Sequence, residues 1–269
     1  MIVVRMSTLL PHHAETLQRV TEHFLKDSQV LGLLLAGSIA HGFCSADSDL
    51  DVMIVVSDSD HDERLRTRRT CFFSRELCSY ASGYVDGKYI SEGFLRALKA
   101  KGSEPARFAF KNARVLFSRL PALPDLLMNV SRYPVEEKAA RIHRFQAQFQ
   151  AWSWFAGEAL KRQDPYLLQT AASKLCLFGG RIVLAHNEIL YPYHKWFLRT
   201  LEAAPEKPDG LMPAILQLAA APTAQSVESF VTVIRKFREW EIDPIEWGAE
   251  FLEESELSWL RGAPPIDDI

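Results

Sequence analysis

The chain is short of cysteine, of net charge and of long apolar runs, and each shortage excludes something. It has 4 cysteines in 269 residues, Cys44, Cys71, Cys78 and Cys176, and no two of them form a CxxC pair. That spacing offers neither a disulfide framework nor a zinc site, and free, mostly buried thiols suit a reducing, cytoplasmic setting. Formal net charge is −3, so the basic surface that stable nucleic-acid binding needs is not expected. No uninterrupted apolar run approaches the ~20 residues that cross a bilayer. Residues 1–10 lack a long apolar stretch followed by a small-residue cleavage site, so neither a membrane partner nor a secretory leader is expected. Internal repeats and low-complexity tracts are missing as well.

What is there is a sizeable hydrophobic fraction, 48%, enough for a packed core and against disorder. Residues 31–56 stand out. Apolar runs at 31–36 and 52–56 read as two buried strands, because each is short, branched and bounded by breakers. Between them lie Gly37-Ser38 and the acidic alternation Asp47-Ser48-Asp49-Leu50-Asp51. Side chains alternate along a strand, so Asp49 and Asp51 point one way and Leu50 the other. Two carboxylates on one edge repel unless a cation sits between them. Asp47 reads as a turn cap.

The surrounding pattern is legible in outline. Residues 11–26 form a helix, with Pro11 in the first turn and Leu17, Val20 and Phe24 on one face. Residues 38–43 read as one helical turn and 64–80 as a helix carrying Arg64, Arg66, Arg68 and Arg69. Residues 83–90 alternate as a third strand with Asp86 and Lys88 on one face; a helix at 92–100 and a strand at 113–117 follow. Pro121, Pro124 and Pro134 then punctuate the chain. Beyond them the period becomes helical, at 136–161, 165–186, 225–240 and 244–260, with short loops that suit a bundle. The expected architecture is therefore α+β: a small mixed-sheet domain over 1–120 and an all-α helical domain over 121–269 that closes the cleft.

Gly37-Ser38 followed eleven residues after Ser38 by Asp49-Leu50-Asp51 on an apolar strand resembles the signature of the polymerase-β-like nucleotidyltransferases. The catalytic-then-helical arrangement is similar to the aminoglycoside (streptomycin/spectinomycin) adenylyltransferases. The resemblance implies an enzyme that moves a nucleoside monophosphate, AMP from ATP, to a hydroxyl of a small-molecule acceptor and releases pyrophosphate. It implies two Mg²⁺ ions, which take hard oxygen ligands and commonly only one or two carboxylates each. Asp49 and Asp51 are the expected ligands. Gly37 lets backbone approach the triphosphate, and Ser38 offers it a hydroxyl and an amide.

The superfamily usually places a third acid on a neighbouring strand. Asp86 is the candidate, as ligand or as base for the acceptor hydroxyl. Two other readings stay open: Asp86-Gly87 is also a hairpin signal, and Glu92 is an alternative acid that equally fits a helix first turn. Lys174 is expected at the triphosphate, with Arg181 seven residues on; surface snorkelling is the other reading. Lys195, beside Trp196, matches a loop Lys of the resembling enzymes and is the second candidate nucleotide contact. The resembling drug-modifying enzymes act on cationic acceptors and gather acids around them, whereas Glu158, Asp164 and Glu188 are scattered here, so antibiotic modification is the less secured part of the resemblance. A protein-modifying, antitoxin-like transferase and a non-catalytic nucleotide-binding module are the alternatives on the same fold.

Overall fold

The computed structural model describes residues 9–238 and 243–262, which fall into two compact units that divide between Arg132 and Tyr133. The first is an α+β unit around a five-stranded mixed sheet. Its helix α1 (Pro11–Leu25) and strand β1 (Gly32–Leu35) lead to the short helix α2 (Gly37–His41). Strand β2 (Leu50–Val56) and helix α3 (Asp58–Thr67) follow. Then come β3 (Cys71–Ser74), β4 (Val85–Ser91), α4 (Glu92–Lys101), α5 (Glu104–Phe108), β5 (Arg114–Ser118) and α6 (Leu123–Val130). Strand order is β3-β4-β2-β1-β5; β2 and β4 run parallel and the other neighbours antiparallel.

Alternation along the strands gives the sheet two buried faces. Leu33, Leu35, Val52 and Ile54 pack with Leu17, Val20 and Phe24 of α1. Leu34, Met53 and Val55 pack with Leu95 and Leu98 of α4 and with Leu123, Leu127 and Val130 of α6. Because α6 supplies this second layer, the unit runs on to Arg132, past the boundary expected at 120.

The segment expected as a helix over 64–80 is a correction. Ser57 caps α3 earlier, accepting the Asp60 N–H, and Arg68 enters the left-handed region (φ 56°) and ends the helix. The following Cys71-Phe72-Phe73-Ser74 then pairs with β4 as an edge strand, as its β-branched-free but aromatic composition allows. The four arginines sit on and just after α3: Arg64 pairs with Asp60 at 2.9 Å and lies over the Tyr89 ring, while Arg66 pairs with Glu63. The thiols also differ from expectation: Cys44 and Cys71 are exposed and only Cys176 is fully buried, all four being free.

The second unit is helical. A 3-10 turn (Val135–Glu137) leads to the long helices α7 (Lys138–Arg162) and α8 (Pro165–His186). After a 3-10 turn (His194–Trp196) come α9 (Phe197–Glu202), α10 (Leu211–Ala220), α11 (Ala224–Phe237) and α12 (Pro244–Glu254), and a last 3-10 turn (Ser258–Leu260). The helix expected to reach Trp240 ends at Phe237, and Trp240 lies outside the described residues. Gly179 and Gly180 permit close packing of α8: an added Cβ would come within 2.8 Å of Phe230 at one and 2.3 Å of Phe197 at the other. Helix α8 is also, by length and composition, apolar enough to cross a membrane, although Lys174 and Arg181 interrupt its apolar run. Half of that stretch is buried inside the unit, where Ala171, Leu175, Ile182 and Val183 join Phe149, Phe230 and Leu218 in one core.

Candidate functional site

The acids expected to act together are brought together by sheet register. Asp51 is the second residue of β2 and lies directly opposite Asp86 of β4, so the two side chains leave the same face of the sheet. Asp86 is the second residue of β4 rather than part of a hairpin turn: Gly87, next to it, is packed on the opposite face against Ile54, Val52 and Phe72. Asp49 stands one step before β2. Tyr84 lies beside it, and the Asp49 carboxylate raises the Tyr84 pKa. The loop feeding it is pinned at Ser48, whose carbonyl accepts from the Tyr80 hydroxyl at 2.5 Å and from His13 at 3.2 Å.

The Gly37-Ser38 turn closes on Asp51. The Ala36 N–H donates to the Asp51 carbonyl at 2.9 Å, and the Ser38 backbone N–H favours the ionised Asp51 carboxylate. Gly37 has φ +63°, and a Cβ placed on it would lie 1.7 Å from Asp51 Oδ2. Glycine is therefore required twice, by conformation and by contact. Ser38 Oγ is buried without a hydrogen-bond partner among the described residues, a donor and acceptor left for something that is not protein.

This crowding has an electrostatic signature. Burial first, then the Asp49 and Asp86 carboxylates, push the Asp51 pKa up to about 6; Lys88 and the Ser38 N–H only partly offset them. An acid so raised disfavours its own ionised form and favours any cation brought to it. Among the described residues, no three His, Cys, Asp or Glu side chains converge tightly enough to cage a metal by themselves. The donor set fits Mg²⁺ nonetheless, since that ion takes one or two carboxylates and completes its octahedron with phosphate oxygens and water. The alternative acid Glu92 is engaged elsewhere, in the first turn of α4 and paired with Arg96 at 2.5 Å.

Lys174 and Lys195 belong to the second unit. Lys174 lines a cavity between α7, α8 and α12. Lys195 sits in the His194–Trp196 turn with its ammonium 5.2 Å from the Trp196 ring centre. His186 is taken by Glu206 at 2.9 Å and His194 by the Tyr191 hydroxyl, in keeping with structural histidines. Tyr84 is the neighbour that strand alternation does not disclose: it stands near enough to Asp49 for that carboxylate to raise its pKa.

No known family model matches the chain, and no curated protein sequence matches it. Among solved structures it is similar to a nucleotidyltransferase-like protein from Exiguobacterium sibiricum 255-15, with 14% identity, coverage of 93% of this chain and 87% of that one, and a TM-score of 0.43. At that distance the likeness carries no chemistry, which rests on the site itself.

Proposed function

We propose that the first unit is the catalytic domain of a Mg²⁺-dependent nucleotidyltransferase, moving a nucleoside monophosphate, AMP from ATP, to a hydroxyl of a small-molecule acceptor with release of pyrophosphate. One observation carries the reading: Asp51, held against the Gly37-Ser38 turn and raised to about 6 by burial and by Asp49 and Asp86. Structural carboxylates are normally paired with cations or donors, not stacked against one another. Asp49 and Asp51 would hold the metal. When bound, Mg²⁺ would neutralise the phosphate charge that builds up as the bond to pyrophosphate breaks. The buried Ser38 hydroxyl, which has no hydrogen-bond partner among the described residues, would be available to the phosphates. Asp86, one strand further on, is placed to accept the proton of the attacking hydroxyl or to serve as a further metal ligand.

The test is pyrophosphate release with MgATP over a panel of hydroxyl acceptors, aminoglycosides among them, comparing wild type with Asp49→Asn. Loss of acceptor-dependent release in the variant is expected. Equal turnover in the two proteins would sink the assignment.

A further inference from the structure

The helical unit contains a cavity of about 790 Å³ between α7, α8 and α12, in the size range of small-molecule sites. Its walls combine two chemistries. Four cations line it, Arg141, Arg144, Lys174 and Arg181, against one acid, Glu254. Arg141 pairs with Glu137 at 2.6 Å, and Arg144 pairs with Glu254 and, at 3.7 Å, with Glu250. Lys174 has no acidic partner among the described residues; its ammonium lies 5.8 Å from the centre of the Trp152 ring. The other wall is aromatic. Trp152 is edge-on to Phe251 at 6.3 Å, and the Arg181 guanidinium lies over Phe145 at 4.1 Å.

A solvated helix face would spread its charge outward. Here the cations and flat rings border one concave space, which is the composition that receives a ring and an anion together. We propose that this cavity binds a small ligand consisting of a flat ring carrying a phosphate group, the ring against Trp152 and the phosphate at Lys174. The inference does not depend on the acids of the first unit. The charge is opposite to what a cationic aminoglycoside acceptor would need, so the occupant differs in kind from the acceptors of the enzymes that the sequence resembles.

The test is calorimetric titration of the full-length chain in excess EDTA, with AMP and phenyl phosphate as ring-phosphate probes and with adenosine and inorganic phosphate as their parts. Ring phosphates are expected to bind at one site at least tenfold more tightly than either part. Lys174→Met should weaken them tenfold or more, and Lys174→Arg should restore affinity to within about threefold. Asp51→Asn should change nothing. Absence of binding by both ring phosphates, parity with inorganic phosphate, or indifference to Lys174→Met would overturn the proposal. So would a change of tenfold or more in either direction in Asp51→Asn, which would place the ligand at the acids instead. Because no metal is present, failure of the pyrophosphate assay would leave this measurement standing, and the reverse.

Discussion

Replacing Asp51 by Asn should make the metal-free protein more stable while abolishing transfer. The folded protein holds this carboxyl at a pKa of about 6 against an ordinary 3.8, so above pH 6 its ionisation costs about 3 kcal/mol, at about 1.4 kcal/mol per unit. Asn removes the charge, keeps an oxygen for the Ser38 N–H and offers an amide to the neighbouring carboxylates. It forgoes the charge-assisted part of the Ser38 bond, so a net gain of about 1–3 kcal/mol is expected, or about 4–12 °C for a unit of this size. All six tryptophans lie beyond residue 132, so their fluorescence reports the helical unit. The readout is instead amide exchange of β1 and β2 in EDTA, beside calorimetric unfolding. Because the folded pKa is raised, the penalty is fully present above pH 6 and is relieved as pH falls from about 6 towards 3.8. Wild type should therefore gain on the variant over that window. Added Mg²⁺ should stabilise wild type and leave the variant unmoved. A variant that unfolds more easily than wild type in EDTA at pH 7 would refute the reasoning, because it would mean that Asp51 is a structural acceptor and not a crowded ligand.

Gly37→Ala should lose both stability and transfer, by about 2 kcal/mol or more, since a left-handed conformation and a 1.7 Å clash with Asp51 act together; unchanged melting would remove the turn from the site. Phe230→Ala, in the helical core and fully buried, should cost about 3–5 kcal/mol, read by tryptophan fluorescence, with the amide exchange of β2 following only if the units unfold together. Burial keeps His41 below its ordinary 6.5, against a backbone hydrogen bond at Lys111 that offsets part of the shift. A lowered histidine is neutral when folded and binds its proton first when unfolded, so stability falls as pH drops below 6.5. In the Asp51→Asn background, which removes the opposing trend, His41→Asn should flatten that acid-side loss; an unaltered slope between pH 6.5 and 5 would count against it.

The sequence by itself determined the elements whose own period and punctuation decide them. Helix α1, with Pro11 in its first turn, the strand pair around Gly37-Ser38, and the long α7 and α8 helices were all legible, because apolar spacing and breakers are local properties. It also set Asp49 and Asp51 two residues apart at the head of a strand, near enough for Asp49 to raise the Asp51 pKa. Residues 64–80 were misread because the stop signal is conformational: Arg68 is not a residue that announces a left-handed turn, and Cys71–Ser74 becomes a strand only because β4 is there to pair with it. Only tertiary structure could decide whether Asp86 sat in a turn or on a strand beside Asp51. Parallel pairing of β2 with β4 puts it opposite Asp51, and register between strands thirty residues apart is not written in either strand. The same holds for Tyr84 at Asp49 and for the Lys174 cavity, where cations and rings from three helices meet. Gly37 joins the two levels: the sequence offers a residue with no side chain, and the fold supplies the carboxylate that leaves room for none.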